Sequence, residues 1–414
     1  MLSQLGHFAL VDGYQRHAKV ADVAVALLEG DYPPVTHLFV QTNHKQCLAL
    51  PWESVQAIDW RAQRMTIADL AAGHAVSPES LTRTVLLQHD ILDALIIDVQ
   101  HRRVTRANDL WLEEEQGQLW LRAADTSVRA ILRRLSRGRC GQAHHSLLSD
   151  WKYIEFLRGD PQAVRAGAAY HRRIVRLPAG EIAQLADALP YLHAAELLTL
   201  LPDPLAADTL EAFTLERQLQ IFEELAEEQG LRLLDLMAPD LAADLVSCLA
   251  SPTARRSLTQ IAPRQSERIL ELLRYPADSV GGIMTNDVLR VPVGLTVQDA
   301  RRALHDQLQG PDFVYFLYIV EDEDTRRLRG VLTLRDLLLA EDERRVEELM
   351  NTYLVLLHPL ESARAAAYRV LTSHLAALPV VGEAGRFLGV VTIDAALAQV
   401  APQSWRGQAP RAFS

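Results

Sequence analysis

Apolar and polar positions change rhythm along this chain. Residues 8–69 alternate over short runs. In VTHLFVQTNHKQCLALPWESVQAID the pattern predicts a strand at 35–41, a polar turn at Thr42-Asn43-His44 and a returning strand at 46–50. A second alternating stretch begins near His89. It predicts strands at 94–99 and 103–106, a hairpin turning at Gln116-Gly117 between strands 110–114 and 119–123, and a short helix at 127–135. From Ala179 to Arg274 the spacing of leucines becomes three and four, punctuated by Pro190, Pro202 and Pro204, which predicts one short helix after another. PLAAD at 204–208 returns as DLAAD at 240–244, an internal echo expected of a helical superhelix whose hairpins cover each other's apolar faces. After Met284 the order strand, helix, strand, hairpin, strand, helix occurs twice. The tetrads GVLT and GVVT hold the same place in each copy, so the segment is a duplication.

The fold class expected is therefore multidomain α+β: two small β-barrel units, an α-helical superhelix and a duplicated α/β pair. The boundaries fall near 1–75, 85–158, 172–280 and 281–400. Between the β region and the superhelix, residues 138–172 and their flanks are basic in RRLSRGRC and HRRIVR, which reads as a solvated linker and helix face more than a nucleic-acid or lipid contact.

Charge and chemistry narrow the functions. A formal net charge of −11 opposes a general nucleic-acid binder, whose footprint is basic. Cys47, Cys140 and Cys248 lie far apart without CxxC spacing, which predicts neither a disulfide framework nor a zinc site and suits a reducing cytoplasm. The first residues lack the basic and apolar regions of a signal peptide. The longest purely apolar run, FVYFLYIV at 313–320, would cover only ~12 Å as a helix against the ~30 Å of a bilayer core, and it reads as a buried strand. No HExxH, GxSxG, Walker or GxGxxG pattern occurs, so an enzyme is not expected; His144-His145 reads as surface.

Three resemblances add to this. The two β stretches resemble PRC-barrel domains, with Val55 and Ile154 on closing strands; that likeness implies adaptors that dock to partners. The Gly-x-x-Thr repeat resembles a pair of CBS domains, which implies an adenine nucleotide such as ATP in a cleft between copies. On that likeness the binding residues are Gly330, letting backbone approach the ligand, Thr333 and Arg335 for phosphate, Asp336 for the ribose hydroxyls, and Thr392 in the second copy. Ala395 stands where the first copy has Asp336, so one competent pocket is expected.

The superhelix, then YPADSVGGIMT at 275–285, then the CBS pair is similar to the cytoplasmic part of MgtE-type magnesium transporters, over about 179–400. This sequence holds no counterpart of their membrane channel. The resemblance implies a magnesium sensor. Carboxylates of the helical and CBS parts repel by about 4 kcal/mol at ~4 Å and an effective dielectric of ~20 until Mg2+ bridges them. Asp240, Asp244 and Asp394 are the metal candidates. Asp240, after Pro239, also reads as a helix N-cap. Ser362, His374, Ala395 and Ala398 stand where that family places acids. The expectation is a cytoplasmic regulatory protein, a homodimer through its CBS pair, that responds to Mg2+ or an adenine nucleotide and acts on a partner such as a separate ion transporter. The alternatives are a dimeric PRC/CBS scaffold without cation sensing and, third, a ribosome-associated adaptor, against which the acidic balance counts.

Overall fold

The structure, a computed structural model, describes residues 1–27, 30–42, 47–74, 85–135, 148–157, 173–307 and 315–401. Most of the turn expected at 42–44, Cys140, His144-His145 and most of the basic stretch at 138–172 lie outside these residues. Two units emerge, Met1–Pro202 and Asp203–Ser414.

In the first unit, strands β1 (Ala9–Asp12), β2 (His17–Val25), β3 (Val35–Thr42), β4 (Cys47–Pro51), β5 (Val55–Asp59) and β6 (Arg64–Ile67) form one sheet in the order β4-β3-β2-β1-β6-β5. The second alternating stretch supplies β7 (Val85–Leu86), which pairs with β2. It then gives β8 (Leu95–Asp98), β9 (Arg103–Arg106), β10 (Asp109–Glu115), β11 (Gln118–Asp125), β12 (Leu148–Asp150) and β13 (Ile154–Leu157), in sheets β13-β8-β9 and β10-β11-β12. Gln116 and Gly117 both take positive φ, 53° and 81°, the two-residue turn that matches strand twist.

The two stretches share a core. One cluster runs from Leu2 and Leu5 in helix α1 (Leu2–Leu5) to Trp151, Ile154 and Phe156. Links cross it: Trp52 Nε1 donates to the Gly117 carbonyl at 3.0 Å and Gln118 Nε2 to that of Val35 at 2.7 Å. Helix α2 (Val128–Leu135) exposes its apolar stripe, Val128, Ile131, Leu132 and Leu135. Its inward face carries Arg133, held by Asp109 at 3.1 Å and Asp125 at 2.8 Å, all three buried.

The helices that follow are α3 (Ala179–Asp187), α4 (Tyr191–Leu200), α5 (Asp203–Glu211), α6 (Leu215–Glu224), α7 (Glu227–Leu236), α8 (Pro239–Cys248), α9 (Ser251–Gln260) and α10 (Pro263–Leu272). Their first residues, 179, 191, 203, 215, 227, 239, 251 and 263, recur at every twelfth position. Each helix from α3 to α9 is followed by a buried apolar residue, at 189, 201, 213, 225, 237, 249 and 261, and then by a proline, threonine or alanine that opens the next. Polar links repeat two helices on. Glu211 accepts from the Ala238 amide at 2.6 Å and Asp235 from that of Ala262 at 3.0 Å. Asp203 pairs with Arg232, as Glu227 does with Arg256. Glu211 and Asp235 thereby satisfy amides at helix starts that have no partner within the helix.

After the short helix α11 (Val280–Ile283), the duplicated segment supplies β14 (Arg290–Pro292), α12 (Val297–Gln307), β15 (Phe316–Val320), β16 (Leu328–Thr333) and α13 (Leu334–Leu339). Past α14 (Val346–Leu349), the second copy has α15 (Ala363–Ser373), β17 (Ala377–Val381), β18 (Phe387–Thr392) and α16 (Ile393–Val400). The parallel bridge Leu357–Val380 stands in the second copy where β14 pairs with β15 in the first. A cluster of Tyr318, Val320, Ala377, Phe387 and Val390 joins the copies, with the Tyr318 and Phe387 rings stacked at 4.7 Å.

Candidate functional site

The two Gly-x-x-Thr tetrads end strands β16 and β18, and each threonine starts a helix. Thr333 accepts from the Asp336 amide at 3.0 Å and donates its hydroxyl to Asp336 Oδ2 at 2.6 Å. This is a reciprocal cap: the threonine satisfies an orphan amide and the carboxylate accepts the hydroxyl in return. Thr392 accepts from the Ala395 amide at 3.1 Å, and with alanine there no carboxylate answers it. The geometry thus brings Thr333, Arg335 and Asp336 together at the exposed start of α13. Thr392 starts the equivalent turn without its acid.

The structure places Gly330 differently from the ligand-facing position expected. A Cβ there would meet Met350 at 2.6 Å from Sδ and 3.0 Å from Cβ, so its bare Cα admits a neighbouring segment. At Gly389 a Cβ would fall 2.3 Å from the Thr285 carbonyl oxygen. Each copy is crossed by the segment that precedes the other. Val331 exchanges both backbone hydrogen bonds with Asn351, at 3.0 and 2.8 Å, and Val390 exchanges both with Thr285, at 2.9 Å each. Met284-Thr285 and Met350-Asn351 are therefore part of the site frame, and the sequence reading missed them. Their signal was present in the echo of IMTN at 283–286 and LMNT at 349–352.

The stretch 275–285 is the joint between the helices and this frame. Its glycines let α11 fold onto the preceding turn: a Cβ on Gly281 would lie 2.3 Å from Tyr275 Cγ, and one on Gly282 2.3 Å from the Pro276 oxygen. Ser279 caps α11 through the Gly282 amide, while the Val280 and Gly281 amides donate to the carbonyls of Glu361 and Pro359. The joint is thus stitched to the second copy.

The metal candidates are not gathered. Asp240 and Asp244 lie one turn apart on α8, Asp240 half-buried and Asp244 exposed; Asp394 is exposed in the first turn of α16. Asp240 is not the cap expected: Ala238 holds that position and Asp240 sits in the first turn, where a negative charge favours the helix dipole. Among the described residues no group of three or more His, Cys, Asp or Glu side chains stands ready for a metal. Mg2+ binds through one or two carboxylates with several waters retained, so the Asp240/Asp244 pair fits it in donor type and number.

Comparison with known proteins follows the same division. The model of the MgtE intracellular N domain matches residues 177–278, and that of the CBS domain matches 280–343 and 346–401. The magnesium transporter MgtE of Thermus thermophilus is 36% identical over 132 residues, 32% of this chain and 29% of the relative. MgtE of Bacillus subtilis is 28% identical over 206 residues, 50% of this chain and 45% of the relative. The chain thus spans less than half the length of these curated relatives. The crystal structure of the cytosolic domain of the Mg2+ channel MgtE in complex with ATP superimposes with a TM-score of 0.53 at 30% identity, covering 57% of this chain and 97% of that one. Among the described residues no helix is long and apolar enough to cross a membrane.

Proposed function

The chain belongs to the MgtE family through residues 177–401, and on that premise we propose that it is a regulatory, non-catalytic module. It senses Mg2+ and an adenine nucleotide and passes the signal to a membrane ion transporter from the cytoplasmic side. The observation that carries this reading is the ordered series of helical repeat, glycine joint and cross-paired CBS copies, matched along nearly the whole of a relative's ATP-bound cytosolic domain. Thr333, Arg335 and Asp336 are the nucleotide contacts, at the exposed start of α13. Asp240 and Asp244 are the first cation ligands, and Asp394 answers them from the CBS side. Exposed Leu338, Leu339, Tyr353 and Leu360 on the CBS pair supply an apolar face for a homodimer. The two β-rich stretches are the adaptors, in the manner of PRC barrels.

Calorimetric titration tests the sensing. Mg2+ is expected to bind saturably and ATP to bind separately. Asp240→Asn with Asp244→Asn should weaken the Mg2+ isotherm about tenfold, the loss of about 1.4 kcal/mol, and Asp336→Asn should weaken ATP alone. A Mg2+ isotherm without heat, or one unchanged in the double variant, removes the cation from the proposal. One observation favours the second reading, a dimeric scaffold without cation sensing: Ser362, His374, Ala395 and Ala398 replace the expected acids.

A further inference from the structure

A cavity of 230 Å³ opens where α10 meets the first CBS copy. Four arginines line it: Arg264 and Arg268 from α10, Arg290 from β14 and Arg326 from the β15–β16 turn. Glu267, Glu271 and Asn286 share the lining. The nearby carboxylates leave donor capacity over. Arg268 has a close partner, Asp287 at 2.8 Å. Arg290 stands 3.5 Å from Glu323 and Arg326 stands 3.8 Å from Glu271, longer than the ~2.7–2.9 Å of a charge-assisted hydrogen bond. Nε of Arg326 and Oδ1 of Asn286 are buried with no hydrogen-bond partner, which folded proteins rarely leave so. Burial first, and then the charge of Arg326, lower the pKa of Arg290; burial likewise lowers that of Arg268, with Arg264 adding to it against Asp287. Glu267 and Glu271 offset part of the positive charge, so open donors, more than net charge, are what the cavity offers an anion.

Arg326 also differs from its counterpart in the second copy. It takes φ 51°, in the left-handed region. The second copy has Gly385, φ 77°, at the same offset before its Gly-x-x-Thr glycine. An arginine thus stands in a turn whose conformation suits glycine, one of eight non-glycine residues with positive φ among the described residues.

We infer that this cavity binds a phosphate group, inorganic or carried on a small molecule, at a site separate from Thr333 and Asp336. Planar guanidinium groups offer paired N–H donors that match phosphate oxygens. Oδ1 of Asn286 accepts from a protonated oxygen of the ligand. Because α10 supplies one wall and the CBS copy the other, an occupied site ties the helical repeat to the CBS pair beside the joint. The inference stands on the cavity and does not require magnesium sensing.

The full chain is titrated with inorganic phosphate, pyrophosphate and ATP at ionic strength fixed with sodium chloride, and the midpoint of thermal unfolding is followed. The variants are Arg326→Gly, which restores the residue of the equivalent turn and so keeps the fold, and Asp336→Asn. For inorganic phosphate and pyrophosphate, and for ATP read in the Asp336→Asn background, a saturable rise with one or more is expected, weakened at least tenfold by Arg326→Gly. A response to inorganic phosphate or pyrophosphate identifies a free anion; a response to ATP alone that survives Asp336→Asn identifies a phosphate ester. No saturable rise, a rise reproduced by chloride, a phosphate or pyrophosphate rise that is undiminished in Arg326→Gly or lost in Asp336→Asn, or an ATP rise in Asp336→Asn that adding Arg326→Gly leaves undiminished, would overturn the inference.

Discussion

Gly389→Ala is expected to destabilise the Asp203–Ser414 unit by about 2–3 kcal/mol, and Gly330→Ala by only about 1 kcal/mol, although the two glycines hold equivalent places. The difference comes from what the new methyl group meets. At Gly389 the nearest atoms are backbone: the Thr285 oxygen at 2.3 Å, its carbonyl carbon at 3.0 Å and the Asn286 Cα at 3.3 Å. None can move without breaking the paired hydrogen bonds between Val390 and Thr285. At Gly330 the closest atoms are Sδ and Cγ of Met350, which its rotatable bonds let withdraw, leaving its Cβ at 3.0 Å to give by a few tenths of an ångström. Urea unfolding of the two variants measures the contrast. Equal costs would mean that the two crossings are not held as described.

Arg133→Met is the second large effect, expected at about 3–5 kcal/mol, because it leaves two carboxylates buried without their cation. Asp109 and Asp125 are buried on either side of it, and Asp109 also accepts from the Ser3 hydroxyl and amide at 2.6 and 3.1 Å. The triad therefore ties α1, β10, β11 and α2 together. Arg129→Met, on the exposed face of the same helix, is the control and should stay within about 0.5 kcal/mol of the parent. Denaturant midpoints of the two variants decide between a buried ionic staple and a surface pair.

Local pattern made most elements legible. The strand expected at 103–106 is observed as Arg103–Arg106, and the Gln116-Gly117 hairpin turns where its glycine demands. The helical series was legible as helices but not in its period. PLAAD and DLAAD begin at 204 and 240, three helices apart, whereas the polar links recur every two helices, from Glu211–Ala238 to Asp235–Ala262. The better signal was the apolar residue at every twelfth position from Leu189 to Ile261, followed each time by a residue suited to opening a helix. Helix α2 shows the limit of periodicity: its stripe at 128, 131, 132 and 135 marks an apolar face, yet that face is the exposed one. Arg133 is drawn inward by carboxylates on two strands, and sequence spacing carries no record of that.

The candidate site divides the same way. The Gly-x-x-Thr tetrads and the lost acid at Ala395 could be read directly, because each lies within a few residues of its partner. What the glycines face could not, since Met350 and Thr285 reach them from the other copy. The arginine cavity was equally hidden. Its side chains come from α10, β14 and the β15–β16 turn, and only Arg326 in place of a glycine offered a hint in the linear repeat.

Small-angle scattering of the full chain, titrated with magnesium chloride at constant ionic strength, tests the proposed sensing most directly. A saturable fall in radius of gyration is expected, shifted to higher magnesium by Asp240→Asn with Asp244→Asn. A radius that does not change with magnesium, or one that falls equally in the double variant, would contradict it.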